Sequence, residues 1–141
     1  MKKEKKKIDL HKIKKSVKNY VKDRDLVLVE GLGGVKAPIK KNYYVADLIK
    51  DLKIPCVIIA RAGLGTINHT LMTIDVLRKR NIRIAGIIMN GVDGKEISQR
   101  SNAQVIEKLS GIKVIGKINA ASSFMSLVRQ LKEQRVLERM K

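Results

Sequence analysis

The sequence predicts an α/β domain built on a mainly parallel sheet. Two observations lead there. Short apolar runs rich in Ile and Val recur along the chain, each stopped by a turn signal. Between them lie segments whose apolar residues repeat at three- and four-residue steps. The first pattern marks strands buried on both faces and the second marks amphipathic helices. Their alternation is the signature of parallel strands joined by helical crossovers.

Taken in order, the chain opens on a lysine run, Met1 to Lys7, expected as a frayed tail. Leu10, Ile13, Val17, Tyr20 and Val21 then mark a helix with lysines on its other face. Residues 1–24 therefore read as a basic tail and amphipathic helix, and 25–141 as the α/β domain proper. Strands are expected at Leu26–Val29, Cys56–Ala60, Ile84–Met89 and Val114–Ile118. Helices are expected near Val45–Leu52, Ile67–Arg80, Lys95–Leu109 and Ser123–Met140. Tyr43 and Tyr44 read as packing residues where a helix starts.

Composition narrows the function classes. The 141 residues suit a single domain. Only 3% are aromatic, so the core must be aliphatic. The single cysteine, Cys56, permits no internal disulfide and points to a reducing, cytoplasmic setting. No apolar run approaches the roughly 20 residues of a membrane span, and no apolar stretch of signal-peptide type follows the basic start. The net charge of +18 draws anions of many kinds. It fits lysine-solvated surfaces better than a nucleic-acid face, since no such motif is present and few aromatics are available for stacking.

In open α/β sheets ligands bind beyond the carboxyl ends of the strands. The chemistry-bearing residues cluster there. Glu30 is followed by Gly31, Leu32, Gly33 and Gly34. Glycines let backbone N–H groups approach a phosphate, and a strand-end carboxylate beside phosphates suits Mg²⁺. An ordinary strand-to-loop turn would read the same way. Gly63-Leu64-Gly65-Thr66-Ile67-Asn68-His69-Thr70 is a glycine loop opening into a helix. Its start is either an anion site for phosphate or carboxylate, or a plainly capped helix. Asn90-Gly91 offers a donor and an acceptor that match an adenine edge, and is also a common turn dipeptide. His11, His69 and Cys56 lack metal-ligand spacing, and no Ser-His-Asp arrangement is present.

Together and in order, these segments resemble the dethiobiotin synthetase family. The likeness runs from Val29-Glu30-Gly31-Leu32-Gly33-Gly34 through Pro38, Ala46-Asp47-Leu48 and Ile54-Pro55-Cys56-Val57-Ile58. It continues through Leu64-Gly65-Thr66-Ile67-Asn68-His69, its most specific part, to Ala85-Gly86-Ile87-Ile88-Met89-Asn90, and covers roughly Asp25 to Ile118. The Gly-Thr-Ile-Asn-His stretch argues against the related amidotransferase synthetases of cobalamin synthesis.

The resemblance implies a P-loop NTPase-like fold, a homodimer, and ATP and Mg²⁺ as cofactors. It implies a ligase of biotin biosynthesis that closes a cyclic urea on 7,8-diaminopelargonate. One amine captures CO₂ as a carbamate, ATP phosphorylates it, and the second amine displaces phosphate. By the same resemblance Glu30 binds the metal, and Glu30, Gly31, Leu32, Gly33, Asn90 and Gly91 contact nucleotide. Gly65, Thr66, Ile67 and Asn68 hold the substrate carboxylate across the dimer. Asn119, Ala120 and Ala121 are weaker nucleotide candidates, because the family usually has Pro where Asn119 stands.

One departure bears on all of this. The 141 residues contain no Gly-Lys-Ser or Gly-Lys-Thr, the end of the family's phosphate loop. The family's catalytic lysine and second Mg²⁺ carboxylate go with that loop, and so does most of its diamine pocket. Phosphoryl transfer rests on positioning and neutralising the β- and γ-phosphates. These residues alone are therefore expected to be inactive. A split-gene product working with a complementary P-loop half, a truncated reading, and a non-catalytic basic scaffold all remain open. The loop's strand also belongs mid-sheet in this fold, so its neighbours are expected to expose unpaired edges or to close on each other.

Overall fold

The computed structural model describes residues 8–95, 97–119 and 123–140. It confirms the α/β class. Three parallel strands, β3 (Cys56–Arg61), β4 (Ile84–Val92) and β5 (Val114–Asn119), form a sheet in the order β3-β4-β5. Each lies within a residue or a few of its expected limits.

Helix α1 (Leu10–Val21) starts on Asp9, whose carboxylate accepts the N–H groups of His11 and Lys12. None of its residues is fully buried. Lys14 reaches Asp51 at 3.0 Å and ties it to α2 (Val45–Leu52). Before α2, a small antiparallel pair, β1 (Pro38–Lys40) and β2 (Tyr43–Tyr44), turns through Asn42 at φ 58°. Periodicity gives no sign of elements this short.

One face of the sheet packs on α2, α3 (Thr66–Arg78) and α4 (Asn102–Ser110). Ile58, Ala60, Ile87 and Met89 meet Ala46, Ile74, Leu77 and Ile106 there. On the other face Ile88, Ile115 and Ile118 meet Leu127 and Leu131 of α5 (Phe124–Glu133) and Val136 of α6 (Val136–Arg139). Two expected helices are interrupted. The Lys95–Leu109 stretch becomes a short 3₁₀ turn, Ile97–Arg100, followed by α4. The Ser123–Met140 stretch breaks at Arg135, which takes φ 51° so that Val136 can turn into the core.

The expected strand Leu26–Val29 does not form. This stretch has no regular structure, and Leu28 is 70% exposed. Its composition is that of a doubly buried strand, but a strand exists only against a partner, and none among the described residues pairs with it. Of the two outcomes expected for strands left without a neighbour, the structure takes the unpaired one.

The two edges of the sheet differ. At β5, side chains occupy the outward backbone groups. Lys117 N–H donates to Gln134 Oε1, and Gln134 Nε2 donates back to Lys117 O, both at 2.6 Å. Asn119 N–H donates to Gln130 Oε1 at 2.7 Å, and the Arg139 guanidinium reaches Ile115 O at 3.4 Å. At β3, no described strand pairs with the outer edge, and Ile59 is 60% exposed.

Candidate functional site

Parallel strands bring all three carboxyl ends to one rim. Arg61, Asn90 and Ile118 lie in register across it, with Asn119 following at the end of β5. Three of the four segments singled out in the sequence meet here: the loop into α3, the Asn90-Gly91 turn and the end of β5.

The loop after β3 is short. Ala62 and Gly63 are buried, and Gly65 sits at φ 85°, a left-handed conformation in which a Cβ is strained. Thr66 N–H donates to Gly63 O at 3.3 Å and His69 N–H to Gly65 O at 3.1 Å, so α3 begins without a side-chain cap. Thr66 is buried, Ile67 half-buried and Asn68 exposed. A groove beside this helix start is lined by Ile59, Arg61, Thr66, His69, Thr70 and Thr73. With the positive end of α3 and Arg61 nearby, its chemistry suits an anion.

Asn90 and Gly91 are exposed, and Gly91 turns at φ 77°. The next loop is braced by Asp93, which accepts from Lys95 N–H at 3.0 Å and from Gln99 Nε2 at 2.9 Å. These bonds hold the Asp93 carboxyl below its ordinary range, the Lys95 N–H contributing most. Val92, Asp93, Gly94 and Asn119 line an open depression between the β4 and β5 loops. Ala120 and Ala121 lie outside the described residues.

The fourth segment is placed differently. Glu30, Gly31, Leu32 and Gly33 are exposed and follow the unpaired Leu26–Val29 stretch. Their loop folds onto the start of α2. Ala37 N–H donates to Gly34 O at 2.8 Å, Val45 N–H to Ala37 O and Ala46 N–H to Val35 O, each of the latter at 3.0 Å. A Cβ on Gly31 would stand 2.9 Å from Val45 Cγ1, so glycine permits this close approach. Among the described residues no group of three or more His, Cys, Asp or Glu side chains could hold a metal ion. Glu30 is therefore not part of a cluster of three or more such side chains. That fits Mg²⁺ bound mainly through substrate phosphates and waters, with few protein ligands.

Two polar features escaped the sequence reading. Asp47 accepts from Arg80 Nε at 2.9 Å and from Tyr44 N–H at 2.8 Å, which lowers its pKa, the Tyr44 bond foremost. Asn102, 4% exposed, donates from Nδ2 to Ala62 O at 2.9 Å. The Arg80–Asp47 and Asn102–Ala62 contacts have no local signal, since the partners stand 33 and 40 residues apart.

A family model described as an AAA domain matches residues 1–126. A protein of Methanococcus vannielii named ATP-dependent dethiobiotin synthetase is 38% identical over 130 residues, covering 91% of this chain and 62% of the relative. Proteins of the same name from Aquifex aeolicus and Nitrosopumilus maritimus are 44% and 45% identical, over 74% and 73% of this chain and 47% and 45% of their own lengths. The chain belongs to the dethiobiotin synthetase family of AAA-domain proteins. It spans between about half and three fifths of the length of these curated relatives. No helix among the described residues is long and apolar enough to cross a membrane.

Proposed function

We propose that the chain works in biotin biosynthesis as the half of an ATP-dependent dethiobiotin synthetase that lacks the phosphate loop, an enzyme turning 7,8-diaminopelargonate, CO₂ and ATP into the cyclic urea. The observation that carries this reading is the rim. The loop into α3 and the Asn90-Gly91 turn, two of the segments that carry the family likeness, stand together there. In this reading Asn90 and Gly91 take the adenine, and Glu30 takes Mg²⁺. Gly31, Leu32 and Gly33 face the phosphates. Gly65, Thr66, Ile67 and Asn68 receive the substrate carboxylate offered across a homodimer. Asn119 flanks the nucleotide from the β5 end. The setting is the cytoplasm, and residues 1–24 are a basic appendage to a domain of 25–141.

Bound ATP supplies the phosphoryl group that activates the carbamate. The residues of this chain bind, orient and neutralise. The phosphate loop itself must come from outside these 141 residues, from a complementary P-loop half on the same or another chain. In this reading its strand adds to the outer edge of β3. The β5 edge is sealed by Gln130 and Gln134, whereas among the described residues no strand pairs with the outer β3 edge or with the Leu26–Val29 stretch.

The test is a diaminopelargonate-dependent phosphate-release assay. The 141-residue chain alone should give no turnover. Adding a P-loop half should restore it, and Glu30→Gln should remove most of what is restored. Turnover near 1 per second by the chain alone, a common enzymatic scale, would overturn the reading. A basic, non-catalytic scaffold is the second reading, favoured by the net charge of +18. It gains if the P-loop half binds but no dethiobiotin forms.

A further inference from the structure

Ala62 is held from two directions. Its N–H donates to Asn90 O at the end of β4, at 2.9 Å. Its carbonyl accepts from Asn102 Nδ2, at the first turn of α4, also at 2.9 Å. Ala62 is 1% exposed and Asn102 4%. An amide is costly to bury unless it is hydrogen-bonded. An apolar side chain would serve packing alone at this position, because Ala103 and Ile106 of the same helix already enter the core. The amide instead fixes the peptide plane from which the α3 loop departs. Three residues later Gly65 opens α3, and across the ladder stands Asn90.

We propose that Asn102 is a positioning residue for the strand-end rim. It locks the Ala62–Gly65 loop against Asn90, so that the N–H groups opening α3 and the Asn90-Gly91 turn keep one relative geometry. Its purpose rests on the ligand reading above; its geometry does not.

Amide hydrogen exchange on the whole chain tests this, comparing the parent with Asn102→Ala and with Asn102→Asp, which keeps the volume and loses the donor. Losing a buried bond of this kind corresponds to about ten- to hundredfold faster opening. That acceleration is expected at Ala62, Thr66 and His69, with Ile87 and Gly111 changed by less than about threefold. A uniform acceleration would reduce Asn102 to a general stabiliser, and an unchanged loop would show that it pins nothing. Either result overturns the proposal. If Asn102→Ala does not fold, Asn102→Asp decides alone. A second readout uses the chain combined with a P-loop half: KM for ATP should rise several-fold with kcat nearly unchanged. Loosened loop amides with an unmoved KM would leave the pinning standing and remove the nucleotide role of Asn90.

Discussion

Gln134→Ala should weaken the fold and expose a second sheet edge. In the parent, one side-chain amide satisfies both backbone groups of Lys117 at 2.6 Å. A net hydrogen bond contributes about 1 kcal/mol. Lys117 is exposed, so water replaces part of what is lost, and about 1–2 kcal/mol is expected for the pair. For a domain of this size that lowers Tm by about 3–8 °C. Gln134→Glu should cost about as much. It keeps an acceptor for Lys117 N–H but turns a carboxylate on the Lys117 carbonyl. Thermal and urea unfolding give the stability, and amide exchange at Lys117 reads the edge directly. Exchange should speed up at Lys117, and the variant should self-associate more readily through the newly opened edge. An unchanged urea midpoint with slow exchange retained at Lys117 would refute the edge-sealing argument.

Three further outcomes are expected. Gly116→Ala places a Cβ 2.8 Å from Val136 Cγ2 in a fully buried contact, which should cost about 1–3 kcal/mol, partly recovered by adding Val136→Ala, as urea midpoints would show. Burial, and then the bond to Asp51, push the Tyr43 pKa up to about 12. Because the folded value lies above the unfolded value of about 10, this contribution is complete below pH about 10 and is lost as pH rises through about 12. Asp51→Asn should therefore flatten the alkaline unfolding profile, and an identical profile would sink the assignment. Finally, the chain should self-associate, or pair with a P-loop half, more strongly as salt rises. Salt screens the repulsion between copies of charge +18, and sedimentation that shows a monomer throughout a salt series would count against it.

The parallel sheet was legible from its apolar runs, whereas the β1–β2 pair, three and two residues long, was not. Cys56–Arg61, Ile84–Val92 and Val114–Asn119 each have a neighbour, and their apolar runs mark them directly. Leu26–Val29 carries the same signal and fails, because composition reports the wish to be buried and not the presence of a partner. The rim residues Gly65, Asn90 and Gly91 were legible through their loops, two of them as glycines that the structure turns through positive φ. Asn102, Gln130 and Gln134 were not. Each acts through a side-chain amide on distant backbone, and a glutamine or asparagine in a helix looks the same whether it meets water or a strand edge.

The difference between the two edges of the sheet bears on what the fold is for. An exposed strand edge is a liability in any chain that ends its sheet there, and charges, bulges or covering elements normally blunt it. The β5 edge carries that protection in three side chains from α5, α6 and the turn between them. The β3 edge carries none of the same kind: among the described residues no strand pairs with it, and Ile59, on the sheet face beside that edge, stays 60% exposed. A sheet covered along one edge and uncovered along the other can be extended in one direction only. The unpaired Leu26–Val29 stretch supplies apolar residues of the same strand type. A parallel strand added at the β3 edge would end at the rim where Gly65 and Asn90 stand. Phosphate binding at that strand's carboxyl end would place the reacting groups beside the loops this chain already orders.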